Sequence, residues 1–237
     1  MKAGQLRIKI FADGADKAGM LEMYRNPLIA GFTTNPTLMR KAGIANFEAF
    51  ARDVLEAIPD RPISFEVFSD DFAEMERQAR LITTWGENVY VKIPVTDTKG
   101  ASAAPLVAKL AGDGIKLNVT ALLTVEQVRT VTSALADGAP SYVSLFAGRI
   151  ADAGVDPIPL ARESLDVMAP HKHLELIWAS PREILNVVQA DALGVHVITV
   201  TNDLLAKLPS LGKDLAQFSL ETVRMFHRDA AAAGFEL

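Results

Sequence analysis

The chain contains no cysteine, which removes disulfides, thiolate nucleophiles and zinc–cysteine centres together. Histidine is scarce, with 4 in 237 residues. His171, His173 and His227 fall outside the strand ends identified below, and His196 reads as a packed or strand-start residue, so the sequence does not support a metal centre. Neither a Ser-His-Asp spacing nor a nucleophile elbow is visible. No apolar run approaches the roughly 20 residues of a membrane-spanning helix. Met1–Arg7 lacks the apolar stretch of a secretory leader, which leaves a cytoplasmic location as the default expectation. No basic stripe accompanies the formal net charge of −5, which argues against a nucleic-acid surface. What is present is a globular balance, 49% hydrophobic and 22% charged, with ample material for a core.

Short apolar, β-branched runs alternate with amphipathic segments from end to end. Strands are predicted at Arg7–Ala12, Ile29–Thr33, Ile63–Phe68, Val89–Ile93, Ile115–Val119, Tyr142–Phe146, Leu174–Trp178 and His196–Val200. Helices are predicted at Asn46–Ile58, Asp71–Trp85, Ala104–Leu110, Thr124–Leu135, Pro159–Met168 and Pro181–Leu193. In the first of these, Phe47, Phe50, Val54 and Ile58 recur at helical spacing behind an asparagine cap. Thr124 with Gln127 resembles a capping box, and Pro181 suits a first helical turn. Eight strand–helix alternations without a linker predict one α/β domain over 1–237, a closed (β/α)8 TIM barrel rather than a doubly wound sheet. The open sheet would want a glycine-rich turn after its first strand, and Phe11-Ala12-Asp13-Gly14-Ala15-Asp16 lacks that spacing. Asp214–Ala233 reads as an extra C-terminal helix. Its Leu220, Met225 and Phe226 could pack on a partner subunit or on the barrel itself.

Lys92 is the odd residue in Val89-Tyr90-Val91-Lys92-Ile93-Pro94-Val95. The run is apolar on both sides, as in strands covered by helices, and Lys92 shares a face with Tyr90. Either this lysine snorkels to water, or it is buried with a lowered pKa and becomes a nucleophile at neutral pH. Chemistry in barrels sits where strands end, and nearly every predicted strand end delivers a polar group. Asp13 closes the first strand, where it could steady the lysine and move protons or simply cap the turn. Glu66 shares a face with Ser64 and Phe68 and points inward, as a structural ion pair or as a carboxylate acting through water. Thr34-Asn35-Pro36-Thr37 reads as a strand-to-turn transition. Asn35 and Asn118 could bond substrate hydroxyls without perturbing a neighbouring amine. Arg149, Ser180 and Arg182 follow strands six and seven. Backbone N–H groups of a helix opened by Pro181 would favour a phosphate there.

Four segments together resemble the transaldolase family in its short subfamily, which also includes fructose-6-phosphate aldolases. They are Gly31-Phe32-Thr33-Thr34-Asn35-Pro36-Thr37, Val91-Lys92-Ile93-Pro94-Val95-Thr96, Leu117-Asn118-Val119-Thr120 and Ser144-Leu145-Phe146-Ala147-Gly148-Arg149. The resemblance implies a sugar-phosphate enzyme of pentose phosphate type that works through a lysine Schiff base, with no metal or organic cofactor, assembled as a homo-oligomer. It implies that Lys92 forms the imine, that Asp13 assists carbon–carbon cleavage, and that Glu66 acts through a water positioned by Thr120. Thr34, Asn35, Asn118, Ser144, Phe146, Ser180 and Arg182 are implied around the substrate, with Arg149 on its phosphate. Fructose-6-phosphate aldolases of the family carry Gln at the place of Glu66 and Tyr at the place of Phe146, so this pair implies transfer rather than release of free dihydroxyacetone. A free aldolase and a non-catalytic sugar-phosphate-binding barrel are the alternatives. Two departures stand out. Gly14 replaces a usual hydroxyl residue, and Arg182 either matches the second phosphate arginine or follows a loop shortened by about three residues.

Overall fold

The computed structural model describes residues 2–234. The first residue of the Met1–Arg7 segment and the last three of the chain lie outside the described residues. Eight parallel strands pair in chain order and close on themselves, β1 returning to β8. They are β1 (Lys9–Asp13), β2 (Ile29–Thr33), β3 (Ile63–Glu66), β4 (Val89–Pro94), β5 (Leu117–Leu122), β6 (Ser141–Leu145), β7 (Leu174–Trp178) and β8 (Val197–Thr201). The helices are α1 (Lys17–Tyr24), α2 (Pro36–Lys41), α3 (Phe47–Ala57), α4 (Phe72–Thr83) and α5 (Ala104–Gly112). They continue with α6 (Val125–Leu135), α7 (Ala147–Asp152), α8 (Pro157–Met168), α9 (Leu185–Leu193), α10 (Asn202–Leu205) and α11 (Leu215–Ala233). The architecture is thus a (β/α)8 barrel with a C-terminal helix, and the doubly wound alternative is excluded by closure.

Period-2 alternation sorts each strand's side chains. Ile8, Ile10 and Ala12, with Val89, Val91 and Ile93, join the main core under the helices. The opposite set enters the lumen. Its lower part is filled by Phe11, Tyr142, Ile177 and Val197, with Tyr90 against Tyr142 at 4.4 Å between ring centroids. Gly31 makes room for this filling, since a β-carbon there would lie 2.6 Å from the Phe11 ring. The lower lumen is therefore a packed core, and only its upper end is open to chemistry.

Several boundaries differ from the predictions. Strand β3 stops at Glu66, and Phe68 stands 56% exposed outside the sheet, edge-on to Phe47. Strand β5 runs from Leu117 to Leu122 rather than from Ile115 to Val119. The last barrel helix does not open at Pro181. It begins at Leu185, because the Asn186 side chain accepts from the backbone N–H groups of Arg182 and Glu183 and holds them in a loop. Helices α1, α2, α7 and α10 lie outside the helices predicted above. In α2 the signal was present, with Pro36 in the first turn and Asn35 capping Leu38 N–H at 3.0 Å. The Thr124–Gln127 capping box forms as expected. Helix α11 forms behind an Asp214 cap and buries none of its 19 residues. No described helix is long and apolar enough to cross a membrane.

Candidate active site

A cavity of about 600 Å³ opens at the C-terminal ends of the strands. Its centre is Lys92, which points into the lumen and is 7% exposed. The amine lies 3.1 Å from Glu66 Oε2 and donates to the Thr34 carbonyl at 3.0 Å. Neighbouring strands produce this contact directly, because Glu66 and Lys92 are register partners across β3 and β4. The snorkelling alternative is excluded by that direction and burial. A buried amine with two oxygens around it is held rigidly, as a positioned nucleophile requires.

Asp13 completes the charged centre from β1. Burial pushes its carboxyl above the usual range, while Lys92 and a hydrogen bond from Thr33 pull it back and Glu66 adds to the rise. The Thr33 hydroxyl donates to Asp13 Oδ1 at 2.8 Å and lies 2.5 Å from the Thr199 hydroxyl. Asn118 is fully buried and committed at both ends, donating to Ser64 Oγ at 3.0 Å and accepting from Ser144 Oγ at 2.7 Å. Thr34 is likewise buried, with its hydroxyl on the Ser64 carbonyl. Neither residue lines the cavity, so they brace the wall around Lys92 instead of facing a ligand. Asn35 does line it, and because its carbonyl oxygen caps α2, its amide NH2 is the end left to donate to a ligand.

Thr120 lines the cavity beside a local irregularity. The β5–β6 register shifts between Val119 and Leu122, and Ala121 takes a positive φ of 65°. Such bulges re-aim side chains beside active sites and carry a strain of about 1–3 kcal/mol. The Thr120 hydroxyl is buried with no protein hydrogen-bond partner. An orphan group of this kind, facing a cavity that also holds Glu66, is placed to bind a polar atom of a ligand or solvent.

The cationic end of the cavity comes from α7 and the β7–α9 loop. Ser144, Phe146, Arg149, Ser180 and Arg182 all line it. Ser180 has a positive φ of 61°, and its carbonyl sits so close to α7 that a β-carbon at Gly148 would lie 1.5 Å from it. Arg182 is already engaged. It makes two bonds to Asp152, at 2.9 and 2.5 Å, and bonds to the Ser180 carbonyl and hydroxyl. That guanidinium holds the Asp152 carboxyl below the usual range. The Arg149 side chain makes no hydrogen bond or ion pair with any described residue, its backbone N–H being bonded to the Phe146 carbonyl. Lys41, at the end of α2, lines the cavity as well. Strands β2 and β6 stand four apart in a ring of eight, so the helices bearing Lys41 and Arg149 follow opposite strands of the barrel. The sequence reading missed Thr33, Thr199, Lys41 and Asp152. Threonines in strands and charges on short helices look the same whether they face a lumen or solvent.

A family profile described as Transaldolase/Fructose-6-phosphate aldolase matches residues 10–237. A Dehalococcoides mccartyi protein named "Probable transaldolase" is 32% identical over 215 residues, covering 89% of this chain and 96% of that protein. A Streptococcus pyogenes protein of the same name is 35% identical over 202 residues, covering 85% of this chain and 90% of its own length. Among solved structures, 2,3-dimethylmalate lyase, a PEP mutase/isocitrate lyase superfamily member, superposes with a TM-score of 0.55 at 14% identity. The alignment covers 98% of this chain and 86% of that one, and the likeness shows the fold alone.

Proposed function

The chain belongs to the transaldolase/fructose-6-phosphate aldolase family, and on that premise we propose that it transfers a dihydroxyacetone unit between sugar phosphates through an imine on Lys92. The observation that carries this reading is the buried Lys92 amine, set 3.1 Å from Glu66 in a lumen shared with Asp13. Lys92 gives a proton to the Glu66 carboxylate and attacks the ketose C2 carbonyl; the carbinolamine then loses water to form an iminium. Asp13 takes the C4 hydroxyl proton as the C3–C4 bond breaks. That bonding pair moves onto C3 and into the iminium, giving an enamine, and an aldose phosphate leaves. A second aldose phosphate accepts the enamine carbon, and hydrolysis of the new iminium frees Lys92. The Asn35 amide supplies a donor and the Ser144 hydroxyl oxygen an acceptor for the sugar hydroxyls, and Arg149 supplies the charge for the phosphate.

Transfer is favoured over free aldolase action by Phe146, whose ring lines the cavity without a phenol to activate water. Incubation with fructose 6-phosphate and erythrose 4-phosphate is expected to yield sedoheptulose 7-phosphate, a rearrangement of pentose phosphate type. Release of dihydroxyacetone at a comparable rate without acceptor would favour the aldolase. Absence of both products and of any adduct would leave a sugar-phosphate-binding barrel.

The engaged state of Arg182 gives a second expectation. Asp152 sets a carboxylate beside the proposed phosphate site, so Asp152→Asn is expected to lower KM for phosphorylated sugars. The size expected is about three- to tenfold, as for an exposed charge pair. An unchanged KM ratio between phosphorylated and unphosphorylated acceptors would remove Arg182 from phosphate recognition.

We also propose that the protein is a homo-oligomer joined through α11. That helix exposes Leu215, Phe218, Leu220, Val223, Met225 and Phe226 while burying nothing, and a face of this kind in water asks for a partner. Sedimentation is expected to show an assembly that falls to monomers when residues 214–237 are removed. An unchanged sedimentation coefficient per chain would contradict this role.

A further inference from the structure

We infer that Thr199 is a positioning residue for carbon–carbon cleavage, orienting the Asp13 carboxylate through the Thr33 hydroxyl. The inference rests on the Schiff-base reading given above. Strand β1 lies between β2 and β8, and both threonines reach across its upper end. Thr33 is the register partner of Asp13, and Thr199 the partner of Phe11, two residues earlier. Both hydroxyls are buried, at 2% and 7% residue exposure, and both residues line the cavity. Neither bonds to any other group among the described residues.

Proton counting fixes the direction of this chain. An ionised carboxylate only accepts, so the single Thr33 proton goes to Asp13 Oδ1, 2.8 Å away. The Thr33 oxygen then accepts the proton of Thr199, 2.5 Å away. Thr199 thereby braces the Thr33 oxygen from behind, and Thr33 in turn occupies Oδ1. Oδ2 has no hydrogen-bond partner among the described residues, and Asp13 lines the cavity. It is the oxygen available to take the C4 hydroxyl proton. Without Thr199, Thr33 would keep its bond to Oδ1 but lose the donor that braces its own oxygen, and the carboxylate would be held less firmly. A pair of threonines serving only to fill space would not need to end on the carboxylate that is proposed to do the chemistry.

Cleavage should suffer from this loss while imine formation should not. Thr199→Val keeps the shape and removes the hydroxyl, and it is expected to lower kcat about tenfold to a hundredfold with KM changed less than threefold. Thr199→Ser restores the hydroxyl and should recover most of kcat. A borohydride quench during turnover of fructose 6-phosphate reads the same step. The adduct on Lys92 should be mainly three-carbon in the unmodified protein, mainly the intact six-carbon sugar phosphate in Thr199→Val, and three-carbon again in Thr199→Ser. Equal kcat and an unchanged adduct ratio in Thr199→Val would overturn the inference while leaving the Schiff base intact. No Lys92 adduct even in the unmodified protein would overturn the Schiff-base reading, and this inference with it.

Discussion

Replacing Lys92 with methionine is expected to abolish sugar-phosphate turnover, by about four orders of magnitude or more, as removal of a covalent nucleophile does elsewhere. Methionine keeps the length and apolar stem of the side chain, so the strand β4 packing survives. What it removes is, among the described residues, the only amine within bonding distance of Glu66. Breaking a buried ion pair from one side can cost about 3–5 kcal/mol, a large share of a domain's stability. The double variant Lys92→Met, Glu66→Gln separates the two effects. It should recover the thermal midpoint and remain inactive, with no borohydride adduct. Turnover above about one per cent in either variant would contradict the proposed imine.

Asp13→Asn is the second large effect, and it should move activity and stability in opposite directions. Loss of the proton acceptor is expected to lower kcat by about a hundredfold to ten-thousandfold, the usual range for a general base. The stability change follows from the raised carboxyl. Because burial lifts its folded-state pKa, the native protein binds this proton more tightly than the unfolded chain does. The stabilising contribution is then full at pH below the unfolded value of about 4, and it is lost as pH rises through the folded value. At pH 7 the ionised Asp13 is a liability to the fold. Asp13→Asn should therefore raise the denaturation midpoint at pH 7, and that advantage should vanish below about pH 4. Since the base must be ionised to act, the acid limb of kcat in the unmodified protein should also lie above the ordinary aspartate range. A variant less stable than its parent at pH 7 would show that the carboxylate is needed to hold the fold.

The barrel was legible because its signal is repeated eight times. Val89, Val91 and Ile93 could belong to a buried strand in many folds, but eight such runs separated by helical stretches leave few alternatives. The strand assignments failed where a bulge or an exit intervenes. Ala121, just past Thr120, carries a positive φ, and alanine gives no hint of it in sequence. Phe68 looked like the inward continuation of Ser64 and Glu66, yet its ring finds a better partner outside, on Phe47. The charged centre was legible because Lys92 and Glu66 are out of place in apolar strands. The division of labour around them was not. Asn35 and Asn118 looked equivalent, but one faces the cavity and the other is locked between Ser64 and Ser144. Such differences depend on register between strands distant in sequence, which periodicity cannot supply.

Gly148 lets the Ser180 carbonyl rest against α7, and the Gly148 N–H reaches the Ala179 carbonyl at 3.4 Å. The backbone segments bearing Arg149 and Arg182 are thus held against each other, and one cannot move far without the other. Adding one methyl group at this position would wedge the two segments apart and widen that end of the pocket. Retuning the enzyme toward bulkier or uncharged aldehydes would therefore begin at a residue that never touches them.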